Sequence, residues 1–421
     1  MKSRKAKSQP LKICLLTYRG NPNCGGQGVY IKHLSKALSD LGHDVDVLSG
    51  PPYPHLDPGV RLHQLPSLDL YNAEHPFRLK KVSSLANPLN MYEFITMCTG
   101  RFPEPYTFGV RAYRYLQKNK KKYDIVHDNQ CLSYGIGKIA DEVVPTIATI
   151  HHPITVDRQE EFKSATTQKK INMIKRWYSF IKMQKEVARQ LSHIVTVSEC
   201  SKIDIAKEFS IHASKFRVIP NGINKEFFYP VQNGPRPENT IIVTNSADTP
   251  LKGLRYLLEA VSQVRKKQSV KLTVIGEPKK NGTVKKLVEE LKISDIVHFT
   301  GRIQNEEFAD YYSKATIAVV PSLYEGFGLP AAEAMACGVP LISTSGGALP
   351  EVVGDAGIIV PPADPGALAR EIMYLFKHPD QRKRMAKAGI ERVDSIFNWP
   401  KAASDMVDVY REAIDDYRRS L

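Results

Sequence analysis

The chain has 421 residues, which is enough for two or three domains that each have a hydrophobic core. It contains no apolar run near the roughly 20 residues of a transmembrane helix and no signal-peptide pattern. Its six scattered cysteines form no Cys-x-x-Cys pair, which argues against a zinc site or a disulfide framework and favours a reducing cytoplasm.

The positive charge is concentrated in the first half of the chain. Residues 1–230 contain 34 Lys+Arg and 20 Asp+Glu, whereas the remainder contains 25 and 24. This asymmetry suggests an anionic partner for the first half, such as membrane phospholipid, a phosphorylated acceptor or nucleic acid, the last being the least favoured. A solvated basic face without a partner is the alternative. The basic residues 1–10 are expected to be a disordered tail.

The first predicted elements form a βαβ unit. The apolar run 11–17 is typical of a buried strand, a helical pattern extends from 29 to 41, and 44–49 is the next strand. Between them lies a glycine loop that includes Gly25 and Gly26. Its spacing is not the dinucleotide-binding Gly-x-Gly-x-x-Gly, but its amides can approach a diphosphate or the acceptor.

Asp44-Val45-Asp46 has the Asp-x-Asp spacing of a metal motif. Because it lies inside the second predicted strand, we interpret it as strand and predict that no metal is required.

Residues 51–110 are rich in proline and aromatic residues and have weak periodicity. They are typical either of loops and short helices around an acceptor site or of a segment packed against the domain. A basic helix is predicted at 111–122, followed by a strand at 123–127.

Two histidines, His151 and His152, follow a strand predicted at 146–150. No acidic or cysteine partner has the spacing of a metal site, so binding of a substrate is the functional interpretation and a structural role the alternative. Asp157 and Arg158 follow and are candidates for the acceptor side.

The segment 168–191 has the pattern of one basic amphipathic helix. Trp177 could lie at a membrane interface. An ordinary helix packed on the core with a solvated face is the alternative.

The linker between the domains is predicted at 224–239, where Pro, Gly, Asn and charged residues are frequent. A new strand begins at 240. The loop after it contains Ser246 and Lys252, and the ammonium group of Lys252 can donate several hydrogen bonds to a diphosphate.

The most informative stretch is 321–347, which follows the apolar strand pattern 315–320. It begins with a loop that contains Glu325 and two glycines and continues as a helix from Pro330. Glu333 lies in that helix. The order strand, loop, helix and strand places both carboxylates at the carboxyl edge of a sheet, where open α/β sheets bind ligands.

This stretch reads Pro-Ser-x-Tyr-Glu-Gly-Phe-Gly-Leu-Pro-x-x-Glu-Ala-Met-Ala-x-Gly-x-Pro, with Glu325-x7-Glu333 inside it. The string resembles the signature of retaining family 4 glycosyltransferases of the GT-B fold. The resemblance implies that Glu325 contacts the donor sugar and that Glu333 binds the nucleotide ribose. It also implies that the diphosphate meets the loop amides, which here belong to Gly326, Phe327, Gly328 and Leu329.

The same resemblance gives roles to more distant residues. His151 would reach the donor hexose near its reacting carbon, and Lys252 and Ser246 would bind the diphosphate. The nucleobase would lie at Arg302 and Ile303. An arginine that the family commonly has near Ser246 is missing here, which puts a second cation at the diphosphate in doubt.

The implied fold is α/β, with two Rossmann-like doubly wound domains facing a cleft. We expect an acceptor-binding domain at 11–223, a nucleotide-sugar domain at 240–397 and a terminal helix within 398–421 that packs on the first domain. The implied reaction moves a hexose from a nucleotide-diphosphate sugar to an acceptor hydroxyl with retention, in glycolipid, cell-envelope or polysaccharide synthesis.

The predicted co-substrate is a UDP-sugar, or else a GDP- or ADP-sugar, with no further cofactor. The acceptor would be a glycan, a lipid or a small molecule. Two rival functions stay open: a sugar-nucleotide epimerase or hydrolase, and a non-catalytic protein that binds an anionic ligand or a membrane. The location implied is the cytoplasm, with the inner face of the membrane as a possible site of peripheral binding.

Overall fold

The computed structural model describes residues 9–21, 26–71, 82–231, 236–245, 249–279 and 282–420. The chain divides into two compact units. Unit 1 comprises the residues up to Val197, Lys202–Ile219 and the residues from Trp399 onward, and unit 2 comprises Ser198–Ser201 and Pro220–Asn398. The expected domain boundary at 223 thus corresponds to a division at 219, and the short segment at 198–201 groups with the second unit.

Unit 1 is built on a parallel sheet whose strands are buried on both faces. The order of its described strands is β3-β2-β1-β4-β5-β6-β7. Burial on both faces explains why most of them are nearly continuous apolar runs. The strands are β1 Lys12–Thr17, β2 Asp44–Ser49, β3 Arg61–Gln64, β4 Ile125–Asn129, β5 Thr146–Thr149, β6 Ile194–Thr196 and β7 Phe216–Val218.

Helices cover this sheet by their apolar faces. Ile31, Leu34 and Leu38 of the first helix, spaced three and four residues apart, are buried in one core cluster with Ile13 and Val47 of the sheet. The first eight helices are α1 Gly26–Asp40, α2 Pro88–Cys98, α3 Glu104–Lys118, α4 Tyr134–Glu142, α5 Thr155–Lys163, α6 Gln168–Trp177, α7 Ile181–Gln190 and α8 Glu199–Phe209.

Two details of unit 1 differ from the sequence-based expectation. The helix predicted at 111–122 is α3, which begins seven residues earlier because Phe108, Ala112 and Leu116, spaced four apart, form one buried face. In addition, β3 was not predicted. It has few apolar residues and is the edge strand of the sheet, paired only with β2 among the described strands.

The prediction of a single helix at 168–191 is also wrong. A 3-10 turn at Tyr178–Phe180 separates α6 from α7. Trp177 is half-buried and stacks on Phe102, with ring centroids 5.0 Å apart, and its ring lies 5.2 Å from that of Tyr71. Trp177 therefore packs in an aromatic cluster of unit 1, and its ring contacts are with protein.

Unit 2 repeats the same architecture with strand order β10-β9-β8-β11-β12-β13, all parallel. Its strands are β8 Thr240–Thr244, β9 Lys271–Ile275, β10 Val297–Phe299, β11 Ile317–Val320, β12 Leu341–Thr344 and β13 Gly357–Val360. Its helices are α9 Leu254–Arg265, α10 Thr283–Glu290, α11 Phe308–Ser313, α12 Leu329–Ala336, α13 Leu349–Val353, α14 Pro365–Lys377 and α15 Pro379–Ile396.

The last helix, α16 Trp399–Ser420, belongs to unit 1. Its buried face, with Ala403, Met406 and Tyr410, joins the core cluster that also contains Leu34 of α1. The Tyr410 hydroxyl lies 2.8 Å from Nδ1 of His127 in β4. The chain thus returns to its first sheet after completing unit 2.

The prediction of two doubly wound α/β domains is confirmed. In each sheet the first strand lies between the second and the fourth, so the connections run in opposite directions on either side of it. Ligands bind at the carboxyl ends of the strands at this switch point. The candidate binding crevices are therefore those at β1 and β4 and at β8 and β11. Among the described residues, no helix is long and apolar enough to span a bilayer.

Candidate active site

The crevice of unit 2 joins Lys252 and Glu325. Lys252 follows β8, and Glu325 follows β11. Lys252 Nζ donates to Glu325 Oε1 at 2.8 Å, and the Ser322 hydroxyl donates to the same oxygen at 2.8 Å. Glu325 is 9% exposed, so most of its surface is removed from water while its charge is paired. The structure thus brings together two residues that are 73 positions apart in sequence.

Two glycines allow the loops around this pair to pack closely. Gly253 has φ +65°, and a Cβ there would lie 1.9 Å from the carbonyl oxygen of Pro321. Gly347 also has φ +65°, and a Cβ would lie 2.2 Å from the carbonyl oxygen of Glu325. That oxygen accepts a hydrogen bond from the Ala348 amide at 2.9 Å. The position of Glu325 is therefore fixed by its backbone as well as by its side chain.

Helix α12 starts at the same edge of the sheet. Gly328 is its N-cap, with φ +100°, and Pro330 occupies its first turn. Gly326, Phe327 and Leu329 complete the loop and the start of the helix. The positive end of the helix dipole thus lies beside the Lys252–Glu325 pair, and such ends attract phosphate groups.

Glu333 lies in the second turn of α12 and is partly exposed. Desolvation is the main reason why its pKa is raised to about 7; Lys252 lowers the pKa and Glu325 raises it. A carboxyl group with a perturbed pKa in a sheet-edge crevice is typical of a functional site.

The raised pKa of Glu333 predicts how stability depends on pH. Since the folded-state pKa exceeds the ordinary value of 4.5, ionisation of Glu333 destabilises the folded protein, an effect absent below pH 4.5 and complete above pH 7. We expect the free energy of unfolding of Glu333→Gln, relative to that of wild type, to be about 1–2 kcal/mol higher at pH 8 than at pH 5. This value allows for the partial exposure of the side chain. Thermal unfolding of both proteins without nucleotide at pH 5 and pH 8 measures this. A stability difference between variant and wild type that is the same at both pH values would contradict it.

Three other predicted donor-site residues, and Gly25 of the predicted diphosphate or acceptor loop, lie apart from this cluster or outside the described residues. Arg302 is exposed and Ile303 half-buried, just after β10 at a turn where Gly301 has φ +72°. The described contacts do not join either of them to Lys252, Glu325 or Glu333. Ser246 and Gly25 lie outside the described residues.

The crevice of unit 1 holds His151 in a set of hydrogen bonds. His151 follows β5, and its Nε2 lies 2.7 Å from Oδ1 of Asn129 at the end of β4. The His151 amide donates to Oε1 of Gln130 at 2.8 Å, and Nε2 of Gln130 donates to the carbonyl of His152 at 3.1 Å. The ring of Tyr30 packs edge-on against that of His151, at 4.7 Å. Asn129 at the end of β4 and Gln130 in the turn after it thus orient the ring and the backbone of His151.

These contacts assign the tautomer of His151. Nδ2 of Asn129 donates to the carbonyl of Gln27 at 3.2 Å, which leaves Oδ1 as the acceptor toward the imidazole. Nε2 of His151 therefore carries the hydrogen. Desolvation, together with the nearby His152, lowers the pKa of His151 to about 3, so the ring is neutral at physiological pH.

The other residues predicted on the acceptor side lie next to this set. His152 Nε2 is 2.7 Å from Asp157 Oδ2, and both side chains are about one third exposed. Arg158 is in the same helix, α5, and its Nε is buried without a hydrogen-bond partner in the described part of the chain. Gly26 is the first residue of α1, and a Cβ there would meet no atom within 4 Å.

Sequence reasoning missed Asn129, Gln130 and Ser322. Asn129 ends β4, which pairs directly with β5, and Gln130 follows it, so their polarity after an apolar run was a usable signal. Ser322 stands three residues before Glu325, inside the family string, but that resemblance gave it no role.

The Asp-x-Asp motif is in β2, as predicted. Asp46 is fully buried and accepts hydrogen bonds from Lys122 at 2.7 Å and the Tyr123 hydroxyl at 2.6 Å. In the described part of the chain, no group of three or more His, Cys, Asp or Glu side chains is placed to hold a metal ion.

Comparison with known proteins decides the family. Residues 24–227 match the model of Glycosyltransferase Family 4, and residues 226–392 match that of Glycosyl transferases group 1. A Mycolicibacterium hassiacum protein named MMP alpha-(1->4)-mannosyltransferase is 44% identical over 408 residues, which are 96% of this chain and 98% of the relative. The chain belongs to the family 4 glycosyltransferases. The resemblance found in the sequence is thereby confirmed, and the protein is a retaining glycosyltransferase.

Solved structures give this glycosyltransferase its fold class. A sucrose-phosphate synthase from Thermosynechococcus elongatus superimposes with a TM-score of 0.74 at 26% identity, covering 97% of this chain and all of the other. Anabaena Alr3699/HepE, solved with UDP and glucose, superimposes with a TM-score of 0.66 at 16% identity, covering 94% and 98%. The glycosyltransferase therefore has the GT-B fold.

Proposed function

We propose that the protein transfers a mannosyl residue from a nucleotide-diphosphate sugar to a hydroxyl group of a saccharide acceptor without a metal ion. The observation that carries the donor half of this proposal is the Lys252–Glu325 pair beside Glu333 and the start of α12. The mannosyltransferase that is 44% identical over almost the whole chain supports the choice of sugar and acceptor.

The donor contacts in this proposal follow from the chemistry of the residues. Lys252 and the loop amides of Gly326–Leu329 bind the diphosphate, since both present hydrogen-bond donors to anionic oxygens. Glu325 accepts hydrogen bonds from hydroxyl groups of the sugar and Glu333 from those of the ribose. Ser246, Arg302 and Ile303 complete the donor set as the family resemblance implies. Binding of a ribose hydroxyl to Glu333 favours its ionised form and lowers its pKa.

The reaction step needs an acceptor hydroxyl and a proton acceptor. The hydroxyl oxygen forms a bond to the anomeric carbon while the bond from that carbon to the bridging phosphate oxygen breaks. The hydroxyl proton passes to an oxygen of the leaving diphosphate on the same face, which retains the configuration. Lys252 and the amides stabilise the negative charge that develops there. His151 serves the reacting sugar, and His152, Asp157 and Arg158 serve the acceptor. Gly25 and Gly26 serve the diphosphate or the acceptor.

UDP is the nucleotide that the family resemblance favours, and the HepE complex contains UDP. GDP and ADP are the alternatives. The weaker suggestion that the basic N-terminal half binds an anionic membrane surface stays a prediction, which co-sedimentation with anionic vesicles would test.

A thermal-shift panel tests the donor half. UDP, GDP, ADP and their hexose conjugates are added without metal to wild type, Glu333→Ala and Glu289→Ala, the last a control at an exposed position of α10. A ligand at about 100 times its Kd stabilises the folded state by about 2.7 kcal/mol, so we expect one nucleotide to raise the Tm of wild type and the control but not of Glu333→Ala.

Two outcomes would contradict the proposal. If none of the nucleotides stabilises wild type, the transferase site in unit 2 is wrongly assigned. If a nucleotide binds but its sugar conjugate is only hydrolysed or epimerised in the presence of saccharide acceptors, the rival enzyme activities replace transfer.

A further inference from the structure

Unit 1 contains a second concave site, beside the edge strand β3. It is a cavity of about 540 Å³, formed by the segment after β3, by the start of α2 and by α3. Leu65 and Leu68 provide apolar wall, and Ser67, Asn87, Asn90 and Arg111 provide polar groups. None of these residues belongs to the His151 set or to the Lys252–Glu325 cluster. The cavity therefore has no role in the functions assigned so far.

A buried ion pair makes one wall of the cavity rigid. Arg111 donates to Glu93 at 2.9 and 3.2 Å, and Glu93 is 2% exposed. The Thr107 hydroxyl and the Leu68 amide also donate to Glu93, at 2.5 and 3.1 Å. Arg111 further donates to Oδ1 of Asn90 at 2.7 Å. The wall thus holds its shape without a ligand, as pre-formed binding sites do.

The same ion pair determines the charge of ligand that fits. Arg111 contributes the only formal charge among the described lining residues, and Glu93 neutralises it at hydrogen-bond distance. The remaining polar side chains of the described lining are neutral: the hydroxyls of Ser67 and Ser84 and the amides of Asn87 and Asn90. An anion would gain little here, whereas a neutral ligand rich in hydroxyl groups would find partners for them, and Leu65 and Leu68 would cover its C–H face.

The place of the cavity in the sheet indicates how long such a ligand is. Leu65 directly follows β3, so the cavity lies at the carboxyl edge of the sheet, as His151 does after β5. Neighbouring strands are about 4.8 Å apart, and β3 is four places from β5, so about 19 Å of sheet edge separates the two. One monosaccharide cannot reach both places.

We infer that the cavity binds a distal sugar unit of a linear, neutral oligosaccharide acceptor whose attacking hydroxyl lies on the His151 side. This inference rests on the proposed function, because it assumes that unit 1 binds the acceptor. It narrows the acceptor from any saccharide to an extended chain of several units. The glycosyltransferase then elongates an existing glycan supplied by an earlier glycosyl transfer.

Titration calorimetry on the full chain tests the inference with two probes, α-(1→4)-linked mannobiose and mannohexaose. Wild type is expected to bind the hexaose at least about tenfold more tightly, since only the longer chain spans both places. Ser67→Phe places a large side chain in the cavity wall and should abolish this preference. The smaller Ser67→Leu should do the same, and it serves if the phenylalanine variant does not fold. Ser83→Phe is the matched control, exposed in the same region but outside the lining, and should keep the preference.

Each remaining outcome overturns the inference. The first is equal binding of the two probes by wild type, and the second is a length preference that persists in both Ser67 variants. The third is that wild type binds glucose 6-phosphate more tightly than mannohexaose and that the Ser67 variants weaken the binding of glucose 6-phosphate. The nucleotide panel separates this failure from that of the proposed function. If a nucleotide binds but the protein shows no preference for the longer saccharide, only the assignment of the cavity is wrong. If the protein prefers the longer saccharide but no nucleotide binds, only the assignment of the transferase site is wrong.

Discussion

Lys252→Met should lower kcat/KM for glycosyl transfer by about 10²–10³-fold while leaving unit 2 folded. In our proposal the ammonium group stabilises charge on the leaving diphosphate, and removing one donor of this kind from a transition state has a cost of that size. Lys252→Arg keeps the positive charge but changes its geometry, so it should recover only part of the rate. Steady-state kinetics with the nucleotide sugar found by the thermal-shift panel measures both variants.

A second substitution separates the loss of catalysis from the loss of structure. Lys252→Met leaves Glu325, 9% exposed, with the Ser322 hydroxyl but without its cationic partner, which destabilises the protein because a largely buried charge is no longer compensated. Lys252→Met with Glu325→Gln removes both charges, so the Tm should return toward wild type while kcat/KM stays low. A kcat/KM within tenfold of wild type in Lys252→Met, or a recovery of rate that follows the Tm, would disprove the role of Lys252.

The position of the proposed donor half of the site was predictable because the spacing of its two carboxylates is local. Glu325 and Glu333 lie on one continuous strand–loop–helix segment, so the sequence order alone places both at the carboxyl edge of the sheet. Lys252 was predicted in the neighbouring loop for the same reason. Its ion pair with Glu325 was not, because it depends on the close packing that Gly253 and Gly347 allow between two loops.

The proposed acceptor half of the site was less predictable because its contacts are non-local. Asn129 meets His151 only because β4 pairs with β5, and neither residue type by itself indicates that register. Trp177 shows the same limit, because its sequence context suggested the wrong environment for its side chain. A tryptophan in a basic amphipathic segment is typical of a membrane interface, but here Phe102, 75 residues earlier, packs against its ring. Periodicity describes the face of an element and does not identify what covers it.

Asn129→Leu should lower kcat by about 10–100-fold without weakening nucleotide binding. Leucine has the same branching and the same number of side-chain heavy atoms as asparagine but cannot accept the His151 Nε2 hydrogen. It therefore leaves that N–H without its 2.7 Å partner and frees the ring to change tautomer. In our proposal the nucleotide binds to unit 2, so the thermal shift with nucleotide should match that of wild type. Kinetics and the ¹⁵N chemical shifts of labelled histidine measure the rate and the tautomer separately.

Asn129 is a positioning residue in this argument, so its effect has to pass through His151. Once His151→Ala has removed the ring, adding Asn129→Leu should cost little more, and the two substitutions should be strongly non-additive in a double-mutant cycle. Asn172→Leu, at an exposed position of α6, is the matched control and should leave kcat unchanged. Additive losses, or a lower kcat with an unchanged histidine ¹⁵N spectrum, would show that Asn129 supports the fold of unit 1 and does not act by orienting the imidazole.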